Sequence, residues 1–187
     1  MAAQRHAALD RGAAAAQPAL KPRVRLAPPS ARDAAEFLAA VRASRRLHGG
    51  WVSAPGSADA YRHFLRRARR VGQAAYFVRL RSSGELVGVA NVSEIVRGAF
   101  QSAYLGYYAF TPHGGQGLMA EGLRLVIRDA FRRLRLHRLE ANVQPGNKAS
   151  LRLLRSLGFR REGYSPRYLK IAGRWRDHER WAITADE

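Results

Sequence analysis

The first part of the chain has the pattern of one strand followed by two helices. Residues 23–27 alternate polar and apolar side chains, which predicts a short strand. Ser30 is suited to cap a helix whose apolar stripe continues to about Leu47. Ser57 is suited to cap a second helix, which has one apolar face and one arginine-rich face and extends to about residue 71.

Strand patterns follow these two helices. Residues 74–81 and 86–94 flank the segment Ser82-Ser83-Gly84, where the glycine can supply a positive φ, so a hairpin is predicted. Residues 101–110 form a third strand pattern.

A glycine-rich loop then leads into a long amphipathic helix over residues 118–134. The rest of the chain predicts a strand, a short helix that Asn147 caps and Gly158 closes, and two final strands. These elements are predicted over residues 138–143, 147–158, 159–170 and 174–183.

This order of elements indicates a mixed α/β (α+β) domain with one central sheet flanked by helices. Its length of 187 residues fits one domain, and a hydrophobic content of 47% excludes wholesale disorder. Residues 1–22 are rich in Ala, Arg and Pro without a sustained period. We therefore expect a disordered extension over residues 1–22 and a single domain over residues 23–187.

Composition excludes several classes of function. The absence of cysteine excludes disulfides, thiolate metal sites and a cysteine nucleophile. No apolar run approaches the roughly 18–20 residues that span a bilayer, and charged residues interrupt any secretory signal at the N-terminus. The six histidines show no metal-ligand spacing. We expect a cytoplasmic protein with no metal and no membrane contact.

The charge of the chain is strongly positive. Lys and Arg total 33 against 14 Asp and Glu, which gives a formal net charge of +19, nearly all of it from arginine. A basic surface attracts polyanions such as nucleic acid, although the arginine excess can equally be a compositional habit. The densest cluster lies on the second helix, where a solvated face is expected and a binding surface is the alternative. It comprises Arg62, Arg66, Arg67, Arg69 and Arg70.

The loop before the long helix favours binding of an anion. Its glycines allow backbone N–H groups to point outward at the positive end of the helix dipole, which suits a pyrophosphate. Gly114, Gly115 and Gly117 also leave room for a phosphate to approach closely. Neither the dinucleotide-binding pattern nor a P-loop is present. His113 precedes the glycines, and a structural role is the expected one for a lone histidine.

Asn147 and Ser150 form the second chemical feature. They are three residues apart at the start of the predicted short helix, so both project from one side of its first turn. Taken alone, the spacing is explained by Asn147 acting as a helix cap.

Together these segments resemble the GNAT acetyltransferase superfamily, and within it the ribosomal-protein N-terminal alanine acetyltransferases of the RimJ/RimL type. The resemblance covers about residues 23–183. Its strongest stretches are residues 104–107, 115–119 with Glu121, 147–150, 157–159 with 162–164, and the subgroup-specific segment 173–178.

The resemblance implies acetyl-CoA as the donor and a mostly antiparallel, splayed sheet. In this family the pyrophosphate loop follows Gln/Arg-x-x-Gly-x-Gly/Ala, which here falls on residues 114–119, with Gly114 and Met119 departing from the pattern. Pantetheine would pair with the backbone of residues 108–110. The implied cofactor-binding residues are Tyr108, Ala109, Phe110, Gly114, Gly115, Gln116, Gly117, Leu118, Met119 and Asn147.

The resemblance also implies candidates for catalysis. Many members carry a tyrosine where this chain has Leu154, and RimL-type members carry a serine where Ser150 stands. Ser150 is therefore expected to donate to the departing thiolate, with Tyr107 and Tyr164 as further candidates. Glu94 and Glu140 are possible bases, although a surface or structural role is the expected one for each.

The expected function is acetyl-CoA-dependent N-acetylation of the N-terminal α-amine of a protein, with a ribosomal protein as acceptor and ribosomal RNA as a docking surface for the arginines. One alternative is acetylation of a small amine, which a surface of charge +19 would repel if the acceptor were cationic. A second alternative is a nucleic-acid-binding module without catalysis, and such a module would not bind acetyl-CoA.

Overall fold

The computed structural model describes residues 22–185, so residues 1–21 of the predicted extension lie outside the described residues. A short 3-10 turn over Ala31–Asp33 precedes the first helix. The helices are α1 (Ala34–Ala43), α2 (Arg45–His48), α3 (Ala58–Ala68), α4 (Leu118–Arg132) and α5 (Lys148–Ser156). The strands are β1 (Val24–Ala27), β2 (Ala74–Leu80), β3 (Leu86–Val96), β4 (Ser102–Ala109), β5 (Arg138–Val143), β6 (Arg160–Ile171) and β7 (Arg174–Thr184).

The described strands form one sheet in the order β1-β2-β3-β4-β5-β7-β6. Every neighbouring pair is antiparallel except β4 and β5, which run parallel. A parallel pair needs a long crossover connection, and α4 supplies it between these two strands. The predicted mixed α/β class with a mostly antiparallel sheet is confirmed.

The two parallel strands separate soon after they meet. Residues 102–104 of β4 pair with residues 138–140 of β5, and no pairing joins the strands beyond them. β4 instead remains paired with β3 as far as Ala109, while β5 remains paired with β7 as far as Val143. The sheet is therefore splayed at its centre, as the resemblance implied.

Helices cover both faces of the sheet. α4 and α5 pack on one face, where the side chains of Leu123 and Leu154 are fully buried. A Cβ on Gly122 of α4 would lie 2.6 Å from a methyl group of Val78, so only glycine lets α4 approach β2 this closely. α1 and α3 pack on the opposite face around an aromatic cluster. Its rings belong to Phe37, Tyr61, Phe64, Phe77 and Phe110.

The sequence predicted one continuous helix from Ser30 to about Leu47, and this prediction is wrong. The chain forms the 3-10 turn and α1, breaks at Ser44, and continues as α2. Ser44 is fully buried, and its Oγ accepts a hydrogen bond from the N–H of Thr111 at 2.9 Å. His48 donates from Nε2 to the carbonyl of Ala109 at 2.9 Å. These tertiary contacts tie the break to the end of β4.

Candidate active site

The separation of β4 and β5 opens a cleft of about 630 Å³. It is lined by both strands, the glycine loop before α4, the start of α5, the segment around α2, and His178 of β7. Elements from both faces of the sheet therefore meet at one opening. This opening contains the glycine loop and the start of α5, the two segments that the sequence analysis singled out.

The glycine loop is held in a conformation that requires glycine. Gly115 and Gly117 both have φ of +76°, in the left-handed region, and Gly117 is the N-cap of α4. A Cβ on Gly115 would meet nothing within 4 Å, so the loop leaves open space beside its backbone. The first amides of α4 have no intrahelical acceptor and lie at the positive end of the helix dipole. This arrangement suits a pyrophosphate.

Arg23 fastens the loop to β1. Its Nη2 donates to the carbonyl of Gln116 at 2.8 Å, and its Nε donates to the carboxylate of Glu121 at 2.7 Å. Burial raises the pKa of Glu121, but the hydrogen bonds from Arg23 outweigh burial and hold that pKa below its usual value. Glu121 therefore stays ionised, and the loop backbone is positioned before a ligand arrives.

The cleft brings together most, though not all, of the predicted loop residues. Gly114, Gly115, Gly117 and Met119 line it. The side chain of Gln116 instead turns back and donates to the carbonyl of Pro112 at 3.1 Å. Leu118 lies in the hydrophobic core, 3% exposed, so the side chains of residues 116 and 118 do not form the wall of the cleft.

The backbone of β4 faces the cleft at alternate residues. The N–H of Phe110 donates to the carbonyl of Val87 at 2.8 Å, and its carbonyl accepts from the N–H of His113 at 3.0 Å. The strand register directs the backbone groups of Tyr108 toward β3. By the same alternation, the backbone groups of Tyr107 and Ala109 point toward the opening. Of the predicted residues 108–110, Tyr108 and Phe110 thus have backbone groups already bonded within the protein, and Ala109 presents its N–H to the opening.

Tyr107 and Ser150 are in direct contact inside the cleft. The Tyr107 hydroxyl lies 2.6 Å from Ser150 Oγ, and Asn147 Oδ1 accepts a hydrogen bond from the N–H of Ser150 at 3.2 Å. Burial raises the pKa of Tyr107 to about 12, against the opposing effect of the bond to Ser150. Tyr107 is therefore protonated at neutral pH and can donate to Ser150, which leaves the serine proton available for a third group.

The other predicted catalytic residues lie elsewhere. Tyr164 is exposed on β6, where its hydroxyl donates to the carboxylate of Asp177, so the structure does not bring it to Ser150. Glu94 accepts a hydrogen bond from Gln73, and Glu140 accepts one from Arg138. Within residues 22–185, no Asp or Glu lines the cleft. The contacts of Glu94 and Glu140 therefore agree with the surface or structural role expected for each.

His178 lines the cleft, and the sequence analysis assigned it no role. It is 3% exposed, and its Nδ1 donates to the carbonyl of Arg176 at 2.9 Å, which leaves Nε2 as the unprotonated nitrogen. Burial lowers its pKa, so the ring is neutral at pH 7. The titratable groups that act on it directly are Tyr168 on β6 and Asp177 on β7. Other titratable or charged residues of the same cleft are His48, Tyr108, His113 and Arg152.

Two further polar atoms at the cleft are buried without a hydrogen-bond partner among the described residues. They are Tyr108 Oη and Asn142 Oδ1. His113 also lines the cleft, with Nε2 at 3.6 Å from Glu85, which agrees with a structural role. In the part of the chain that the structure describes, no group of three or more His, Asp or Glu side chains is placed to hold a metal ion. None of the helices described there is long and apolar enough to cross a bilayer.

The splayed sheet and the glycine loop at its opening define a class of protein, and comparisons with known proteins identify the family. The model of the acetyltransferase (GNAT) domain family matches residues 23–160. The chain belongs to this family.

Individual relatives agree with this assignment. The [ribosomal protein uS5]-alanine N-acetyltransferase of Escherichia coli is 48% identical over 103 residues, 55% of this chain and 53% of the relative. The "probable N-acetyltransferase YjcK" of Bacillus subtilis is 44% identical over 102 residues, 54% of this chain and 56% of the relative. The chain thus spans about half the length of the curated relatives it matches.

A solved structure extends the similarity to most of the fold. The structure of Mycobacterium smegmatis RimJ in complex with CoA-disulfide has a TM-score of 0.80 and 30% sequence identity to this chain. The match covers 87% of this chain and 82% of that chain.

Proposed function

We propose that the protein is an acetyl-CoA-dependent N-acetyltransferase that acts on the N-terminal α-amine of a protein, with a ribosomal protein as its acceptor. One observation carries the proposal: the glycine loop at the start of α4, the free backbone edge of β4 and the Tyr107–Ser150 pair all face the same cleft. The uS5-alanine acetyltransferase similarity supports the choice of acceptor.

In this proposal the backbone does most of the binding. The amides of residues 115–119 hold the pyrophosphate of acetyl-CoA at the N-terminus of α4. The N–H and carbonyl of Tyr107 and the N–H of Ala109 extend the sheet edge toward pantetheine. Asn147 caps α5 and thereby fixes the position of Ser150. The departures at Gly114 and Met119 matter little, because backbone donors are unaffected by side-chain identity.

The chemistry needs one proton acceptor and one proton donor. Bound acetyl-CoA supplies an activated acetyl thioester. Nε2 of His178 accepts the proton that the attacking amine releases, because the ring is neutral and its tautomer is fixed by Arg176. Ser150 donates to the departing sulfur, and Tyr107 replaces that proton through the hydrogen bond to Ser150 Oγ. An N–C bond forms, the C–S bond breaks, and the free thiol is released. His178 then gives its proton to solvent and Tyr107 takes one up from solvent, which restores both residues for the next turnover.

The cleft does not favour a polyamine acceptor. A polycation needs carboxylates for its extra ammonium groups, and the described residues that line the cleft include arginine and histidine but no Asp or Glu. The arginine excess suits docking on ribosomal RNA, so the proposal includes a contact between the enzyme and the ribosome. It also includes a cytoplasmic location, because a ribosomal acceptor would be found in the cytoplasm.

Mass spectrometry of ribosomal proteins tests the proposal. Cells with and without the gene should differ by one acetyl group at the N-terminus of one ribosomal protein, and the purified enzyme should restore that group with acetyl-CoA. An unchanged set of N-termini, together with no transfer to any alanine peptide in vitro, would refute the proposed activity.

A further inference from the structure

A second cavity adjoins the cleft on the α1 and α3 face of the sheet. This cavity has a volume of about 580 Å³ and lies between α3, the loop that follows α2, and strands β3 and β4. Both spaces are lined by Val52 and by Gly106, Tyr107 and Tyr108 of β4, so they adjoin along this strand.

Gly106 is the junction between the two spaces. It is exposed, pairs with Asn91 of β3, and lines both cavities. A Cβ on Gly106 would meet nothing within 4 Å. The missing side chain therefore leaves free room where a polypeptide could pass from the cleft toward α3.

Unpaired polar atoms lie beside this passage. Tyr108, which lines both spaces, and Asn142, which lines the cleft, each bury an oxygen without a partner among the described residues. A buried polar atom left unpaired costs about 1–3 kcal/mol. A bound peptide that supplies N–H or O–H groups at these positions would remove that cost.

The far wall of the second cavity carries the positive charge of Arg67. Arg67 and His63 of α3 line it, and the described residues around it include no carboxylate. Burial raises the pKa of Tyr108 and the charge of Arg67 opposes that rise, so the charge acts on the passage itself. Glu94 lines a smaller cavity beside Arg67 and bonds to Gln73, and no carboxylate in residues 22–185 forms an ion pair with Arg67.

We propose that the second cavity receives the residues that follow the acceptor's N-terminal amine, and that Arg67 selects an acidic side chain among the first few of them. The inference rests on the proposed function and specifies its substrate: a protein N-terminus that carries a carboxylate close behind the reacting amine. The charge of Arg67 is free to pair with that carboxylate at the wall of the cavity.

Short peptides that begin with alanine test this substrate preference. A neutral peptide is compared with variants that carry glutamate or lysine at one position at a time after the first residue, and kcat/KM is measured for each. The wild type should prefer glutamate at one position by about fivefold over the neutral peptide, equivalent to about 1 kcal/mol, and no more than that because Arg67 is exposed to water. Arg67→Glu should reverse the preference toward lysine at that same position.

Arg69→Glu is the matched control, because Arg69 is exposed on the same helix end, has the same charge, and lines neither cavity. It should keep the wild-type preference. Gly106→Val should raise KM for every peptide by more than it weakens acetyl-CoA binding, since the new side chain fills the passage. Equal kcat/KM for all peptides, or the same reversal in Arg69→Glu, would overturn this inference and leave the proposed function standing. Transfer to no peptide would overturn the proposed function and this inference with it.

Discussion

Replacing Ser150 should affect the chemical step more than the binding of acetyl-CoA. Ser150→Ala removes the donor to the departing sulfur but keeps the capping bond from its N–H to Asn147. A positioned acid contributes a factor of roughly 10²–10⁴ to the rate, so we expect kcat to fall by up to that factor, or by less if a water molecule substitutes. The acetyl-CoA dissociation constant should stay near normal. Steady-state kinetics with calorimetry of CoA binding measures both quantities.

Tyr107→Phe is the companion variant, because it removes the proton supply to Ser150 and keeps the ring. Its loss in kcat should be smaller than that of Ser150→Ala, and the double variant should be no worse than Ser150→Ala alone. Normal kcat in Ser150→Ala would return Ser150 to a purely structural role in the helix cap.

His178 should control the pH dependence of transfer. Burial lowers the pKa of His178, so its ring stays neutral to a lower pH than an ordinary histidine does. The wild-type kcat should therefore persist at mildly acidic pH and fall only where His178 takes up a proton. His178→Gln should lose activity at neutral pH, and the loss should shrink as pH rises past the amine pKa of about 7.7–8, where the acceptor is already neutral. A loss that is equal at every pH would indicate a structural role.

The sequence predicted some of these residues and missed others for a physical reason. The spacing of Asn147 and Ser150 is local, so helix geometry alone placed them together. His178 reaches the cleft only because β7 pairs with β5, and no local pattern encodes that pairing. Tyr164 was named as a catalytic candidate, but strand residues alternate between the two faces of a sheet. Its side chain lies at the surface, where it contacts Asp177.

At the scale of elements, the loop and α4 should bind the pyrophosphate as one unit. Gly117→Val places a branched side chain at φ of +76°, which obstructs the phosphates and strains the backbone. We expect acetyl-CoA affinity to fall by tenfold or more, about 1.4 kcal/mol, in a folded protein. Calorimetry measures the affinity, and thermal unfolding reports the strain.

Gly84→Val is the matched control for backbone strain. Gly84 has φ of +80° in the turn between β2 and β3 and does not line the cleft. It should lose comparable thermal stability and keep its CoA affinity. Unchanged affinity in a folded Gly117→Val protein would show that the pyrophosphate binds elsewhere.

Elements were predictable where periodicity is strong. β5 lies where it was predicted, over residues 138–143, and the bounds of α4 differ only at its last turn. The break at Ser44 was not predictable, because the hydrogen bond that fixes it comes from Thr111, far along the chain. The opening between β4 and β5 was expected only through family resemblance, since strand patterns do not report where two strands separate.

At the scale of the whole molecule, the net charge of +19 should act through the exposed arginines at the end of α3. If this surface docks on ribosomal RNA, each neutralised phosphate releases counterions, so association should weaken steeply with salt. Reversing both Arg66 and Arg70 to Glu should reduce ribosome association and lower the salt slope by about two, while transfer to a free peptide stays near normal.

The control reverses Arg128 and Arg132 on α4, which are also exposed but lie on the opposite face of the sheet. Its net charge equals that of the α3 variant, so any difference between the two reports position and not total charge. Co-sedimentation with ribosomes at low and high salt measures association. Reduced pelleting only in the α3 variant supports docking through α3, whereas equal pelleting of all three proteins assigns the arginine excess to composition.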